Sequence, residues 1–113
     1  MAAGKRNVTI EQYARYYEEF VVSDNGVIRN ITGSTIKMQL KRKTSDASPA
    51  FSYAVGSGIT LEDPTNGKFS IAIGPSDTST MSGVYRYDIT IDSGSGADRL
   101  LEGDIIISEG VTH

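Results

Sequence analysis

The 113-residue sequence holds few side chains suited to covalent or proton-transfer chemistry. It has no cysteine, and so no thiol nucleophile, thiolate metal site or disulfide framework. Its one histidine is His113, the last residue, where a chain usually frays. Nothing is spaced to serve it as base or nucleophile. Glu18 and Glu19 are adjacent, and on a strand neighbours point to opposite faces, which is wrong for a paired acid and base. Asp92, Gly94, Gly96 and Asp98 echo the start of a calcium loop, but glycine replaces the third and fifth ligands and Glu102 comes too early to close the site. The same glycine-rich stretch leads into a strand, so it lacks the helix N-terminus on which phosphate loops depend. Asn7-Val8-Thr9 and Asn30-Ile31-Thr32 match the glycosylation pattern, yet Met1–Arg6 runs into polar residues and does not read as a secretory signal. The expectation is a protein without catalytic residues, cofactor or metal, made in the cytoplasm of the producing cell.

The basic run "ITGSTIKMQLKRK" (31–43) raises nucleic-acid binding. Lys37, Gln39 and Lys41 alternate with Ile36, Met38 and Leu40, so the lysines occupy the wet face of a strand. No aromatic side chain stands among them to stack a base, and the chain's net charge is −3. The run therefore reads as solubilising, with Lys41, Arg42 and Lys43 as a docking patch for an acidic neighbour. Residues 1–43 hold eight Lys/Arg and four Asp/Glu, whereas residues 44–113 hold three and ten. Such asymmetry steers docking between subunits if folding does not interleave the halves.

The elements that must position these residues are strands. Period-two alternation recurs at Phe51–Val55, Phe69–Ile73, Tyr85–Ile91 and Leu101–Ile107, with shorter candidates at Val8–Ile10, Tyr16–Val22 and Ile59–Glu62. Turn chemistry separates them at Ser23–Gly26, Lys43–Pro49, Asp63–Gly67 and Asp92–Asp98. Pro75 opens a short helical turn near 75–82 with Met81 tucked inward and Gly83 closing it. Ile10–Phe20 fits helix and strand about equally, and the β context favours strand. These features describe an all-β domain: an antiparallel sandwich or small barrel of about seven to eight strands. Residues 1–12 read as an arm or first strand and 13–113 as one domain. No apolar run approaches membrane-spanning length.

Three motifs in order resemble a known family: Asn30-Ile31-Thr32-Gly33; Asp63–Phe69 with Gly83-Val84-Tyr85-Arg86-Tyr87-Asp88; and Leu100-Leu101-Glu102-Gly103. The chain resembles small immunoglobulin-like β-sandwich proteins of tailed bacteriophages, similar to the amino-terminal domain of baseplate upper proteins. The resemblance implies an immunoglobulin-like sandwich and a non-enzymatic virion subunit in the tail or baseplate, assembled as a symmetric oligomer with other virion proteins, without nucleic acid or membrane. Because related proteins often continue into stalks or receptor-binding domains, a chain closing after its last strand points to an adaptor or connecting subunit. A capsid-decorating or head-fibre subunit, or a free-standing carbohydrate- or protein-binding module, stays open beside it. Tyr13, Tyr16 and Tyr17, together with Lys41, Arg42 and Lys43, are the expected subunit-interface residues, since tyrosine supplies contact area at low entropic cost; that the tyrosines instead cover the sandwich's own core stays open beside it.

Overall fold

A computed structural model describes residues 4–24, 26–43, 48–92, 94 and 96–109. Eleven strands follow one another: β1 (Gly4–Lys5), β2 (Val8–Glu11), β3 (Tyr16–Val21), β4 (Ser23–Asp24), β5 (Val27–Ile28), β6 (Thr35–Lys41), β7 (Phe51–Val55), β8 (Gly58–Asp63), β9 (Lys68–Ile73), β10 (Val84–Asp92) and β11 (Ala97–Ser108). A 3-10 turn spans Pro64–Asn66, and one short helix, α1, spans Pro75–Thr78. The protein is mostly β, as its alternation predicts. Ile36, Met38 and Leu40 of β6 are buried, as are Tyr85, Tyr87, Ile89 and Ile91 of β10 and Phe69, Ile71 and Ile73 of β9. The residues between those of β6 and β10 face outward or are half-buried. The ambiguous Ile10–Phe20 stretch is strand on both sides of a short connector, Gln12–Arg15.

Nine strands form one sheet in the order β1-β11-β10-β6-β7-β8-β9-β3, with β2 continuing β1 along the same edge of β11. β4 and β5 form a separate small ribbon. The sheet is mixed, which corrects the expectation of a purely antiparallel one. β1 and β2 run parallel to β11, and β7 runs parallel to β8. Alternation encodes which face a residue occupies and carries no information on strand direction. β1 and β2 lie far from β11 in sequence, so no hairpin turn constrains their direction. Between β7 and β8 the chain kinks tightly: the Ser57 N–H donates to the Ala54 carbonyl at 2.8 Å and the Ala54 N–H to the Ser57 carbonyl at 3.0 Å. It then continues in the same sense.

The sheet curls nearly into a barrel, because its two ends meet. Arg6, between β1 and β2, reaches Glu18 of β3, and its guanidinium lies 5.8 Å from the centre of the Phe20 ring. Inside, the aliphatic and aromatic faces of the strands form a single core, with Phe20 and Phe69 stacked at 5.2 Å. The segment after β9 supplies the expected helical turn. Thr78 is fully buried with its hydroxyl donating to the Ala14 carbonyl at 2.7 Å, and Met81 is fully buried behind it.

Two glycines of the quoted motifs are set by close approach. A Cβ on Gly67 would stand 2.6 Å from the Arg29 carbonyl oxygen and 2.7 Å from that of Val22, and its φ of +71° ends the turn at Pro64–Asn66. A Cβ on Gly103 would stand 2.0 Å from the Arg6 carbonyl oxygen. The first segment therefore crosses β11 where only glycine leaves room. The loop expected over Asp92–Asp98 is shorter than that, since β10 runs through Asp92 and β11 begins at Ala97. β11 keeps its apolar face inward by a bulge, Ile89 pairing with Leu101 and Thr90 with Arg99.

Candidate interaction surface

The seam between the two sheet ends is the most organised polar group in the described residues. Arg6 bonds Glu18, and the Tyr16 hydroxyl donates to the other Glu18 carboxylate oxygen at 2.6 Å. Burial pushes the Glu18 carboxyl up, and the hydrogen bonds from Arg6 and Tyr16 with the Arg6 charge outweigh it, leaving it below the usual carboxylate value. Burial and the bond to Glu18 push the Tyr16 hydroxyl well above its ordinary value. The Tyr87 hydroxyl donates to the Arg6 carbonyl at 2.7 Å, and burial raises it as well. On the far side of the core Tyr53 donates to Asp77 at 2.9 Å and is raised by burial and by that carboxylate. These tyrosines stay protonated at neutral pH and act as fixed donors. Tyr87 and Tyr53 each tie together separate parts of the chain, Tyr16 braces Glu18 within β3, and none is poised as a nucleophile or base.

The six expected interface residues do not share one setting. Tyr16 belongs to the seam just described. Tyr17 is exposed on the outer face of β3, with the Arg15 guanidinium 5.2 Å from its ring. Tyr13 is exposed in the β2–β3 connector at φ +69°, the one non-glycine residue at positive φ among those described. Arg42 lies over the ring of buried Tyr85 at 4.0 Å and donates to the Val84 carbonyl at 3.3 Å and the Ser82 hydroxyl at 3.2 Å. Lys43 is exposed beside it. Lys41 is half-buried and faces outward in register with Arg86.

The structure brings Tyr13 and Arg42 to the same end of the molecule. The Gln12 side-chain amide donates to the Met81 carbonyl at 2.9 Å, and Arg42 binds Ser82 and Val84 a few residues on. This end is built from the β2–β3 connector, the segment from α1 to β10, and the exit of β6. Ile106 and Val84 pair here across β11 and β10, both exposed.

The outer face of β11, β10 and β6 carries alternating charge. Arg86 pairs with Asp104 at 2.7 Å, and Arg99 reaches Asp88 at 3.7 Å and Glu102 at 3.6 Å. A shallow cleft of about 190 Å³ lies among Gln39, Lys41, Arg86, Asp88, Arg99 and Glu102. Among the described residues no ion pair takes up Lys37 or Lys41. Lys41 stands directly across from Arg86, whose charge Asp104 already takes up.

No protein-family model matches the chain. A search of curated proteins likewise returns no match.

Among the described residues no three His, Cys, Asp or Glu side chains gather as a metal site requires. Of the carboxylates that echo a calcium loop, Asp92 accepts from the Gly94 N–H at 2.8 Å and Asp98 lies 3.7 Å from Arg29. His113 and most of the Lys43–Pro49 connector lie outside the described residues. No described helix is long and apolar enough to cross a membrane. Sequence reading missed the part played by Arg6, which is 12 residues from Glu18 and lies between β1 and β2. It also missed the ion pairs of Arg86 and Arg99, although the Arg86-Tyr87-Asp88 alternation placed both charges on one face.

Proposed function

We propose that this chain is a non-enzymatic structural subunit in the virion of a tailed bacteriophage, an adaptor or connecting piece of the tail or baseplate. The observation that carries the reading is the set of motif residues resembling the phage modules, considered with the work those residues do in the fold. Gly67 and Gly103 stand where any side chain collides with backbone, and Tyr85 and Tyr87 fill the core. A family that shares those motifs has a physical reason to keep them.

The finer architecture we assign is an immunoglobulin-like sandwich. β3, β9 and β8 follow the B-E-D order of such domains, and β11, β10, β6 and β7 follow the G-F-C-C′ order of the opposite layer. The parallel contact of β7 with β8, only two residue pairs long, lies where the chain passes from one layer to the other. The surface chemistry supports a docking role over a catalytic one. Its tyrosine hydroxyls are committed donors, and its outer sheet face presents paired charges with two unpaired lysines. Such a face selects a partner by electrostatic complementarity.

Gold-labelled antibody against the protein, imaged on intact particles, tests the location. Label on the tail or baseplate is the expected result. Label confined to the capsid overturns the tail assignment in favour of a decorating subunit.

A further inference from the structure

The segment holding β1 and β2 is fastened to its own chain by contacts that a second copy of the chain can supply without change. Val8 and Ile10 lie in parallel register on Ile105 and Ile107, and Ile10 is buried. The Asn7 side chain accepts the Asp104 N–H at 3.0 Å, the Tyr87 hydroxyl reaches the Arg6 carbonyl, and Arg6 closes on Glu18. Between this segment and β3 stand only the four connector residues Gln12–Arg15. Within them Tyr13 sits at φ +69°, a left-handed conformation that an L side chain adopts at a cost. Short strained connectors favour exchange, because opening lets the strained residue relax into extended backbone.

We propose that the partner is a second copy of this chain, and that two copies exchange residues 4–11, each laying its β1–β2 segment along the other's β11. The proposal rests on the reading of the protein as a symmetric oligomer and names how two copies join. A four-residue connector, fully extended, spans about 14 Å, so exchange is possible only if the connector ends of the two molecules abut. That end carries Tyr13, Tyr17, Val84 and Ile106, which are 48%, 46%, 49% and 42% exposed and make up half of the eight exposed large apolar side chains among the described residues. Abutting copies would cover them. Domain exchange between identical protomers is a low-cost route to a dimer, since the contacts of the exchanged segment are all remade.

The test uses Thr9 and Ile106, exposed cross-strand partners on β2 and β11, in a chain that has no other thiol. The double variant Thr9→Cys, Ile106→Cys is concentrated, its dimer and monomer fractions are separated by gel filtration, and each is oxidised. Denaturing, non-reducing electrophoresis should show a covalent dimer from the dimer fraction and a cross-linked monomer from the other. A dimer fraction that runs as monomer overturns the exchange and leaves the oligomer reading standing. Absence of any dimer of the unaltered chain at any concentration overturns both. If the double variant does not fold, Tyr13→Gly in the otherwise unaltered chain decides. Relieving the connector should lower the dimer fraction roughly fivefold or more, and an unchanged fraction overturns the proposal.

Discussion

The Tyr87 hydroxyl donates to the Arg6 carbonyl oxygen at 2.7 Å, and that contact ties a strand from the middle of the sheet to the segment that closes the seam. The two residues are 81 positions apart. Around them lie Gly103, which lets the segment pass, Asn7, whose side chain takes over one ladder bond, and Glu18, which receives the Arg6 guanidinium. The near-barrel is held shut at this point, so the seam offers the sharpest perturbations.

Tyr87→Phe keeps the ring in the core and removes only the hydroxyl. The Arg6 carbonyl then loses its donor, and the loss should lower stability by about 1 kcal/mol. Urea denaturation followed by tyrosine fluorescence or circular dichroism measures it. An unchanged midpoint would mean the contact contributes nothing.

Gly103→Ala places a methyl group 2.0 Å from the Arg6 carbonyl oxygen and 2.8 Å from its carbon. Backbone must move, at a cost of about 1–3 kcal/mol. Hydrogen exchange should show the damage localised, with the amides of Val8–Glu11 losing protection first and those of β6 retaining it.

Glu18→Gln removes the carboxylate that accepts from both Arg6 and Tyr16. Because the folded carboxyl lies below the ordinary carboxylate value, its contribution is fully present above that ordinary value and is lost as pH falls through the folded one. The variant should therefore be less stable by about 1 kcal/mol at neutral pH, a modest figure because Arg6 is largely exposed. Thermal melts of the two proteins should converge on acidification below the ordinary carboxylate value. Curves that stay parallel until the carboxyl is fully protonated would remove the assigned linkage.

Arg42→Ala strips the guanidinium from the Tyr85 ring, together with its bonds to Val84 and Ser82. A loss of about 0.5–1 kcal/mol is expected, since the site is exposed. Arg42→Lys should recover less than half of it, as an ammonium cannot lie flat on the ring while bonding two acceptors. Full recovery by lysine would show that charge alone matters there.

Much of the architecture was readable from the chain because period-two alternation is a local signal. Ile36-x-Met38-x-Leu40 and Tyr85-x-Tyr87-x-Ile89-x-Ile91 each commit a face without reference to any other strand. Pro75 with Met81, and Asn66-Gly67, are local signals of the same kind and mark a helical turn and a corner. Strand direction is not local, and so the parallel placement of β1 and β2 on β11 could not be read from Val8-Thr9-Ile10. The surface was less readable still. Arg42 was grouped with Lys41 and Lys43 as one basic run, yet it is turned onto Tyr85, 43 residues away in sequence, while Lys41 faces outward opposite Arg86. Tyr13, Tyr16 and Tyr17 formed one group by composition. The strand pleat and the connector send them to three different surroundings, with only Tyr16 in the seam.

The assignment to the virion is tested most directly by the protein content of the particles. Phage particles from cells carrying the gene for this chain are purified through a density gradient, and their peptides are quantified by mass spectrometry. The account predicts that the chain co-purifies with the tail proteins at a fixed copy number set by the symmetry of the particle. Its absence from purified particles, with the protein remaining in the lysate, would contradict the account.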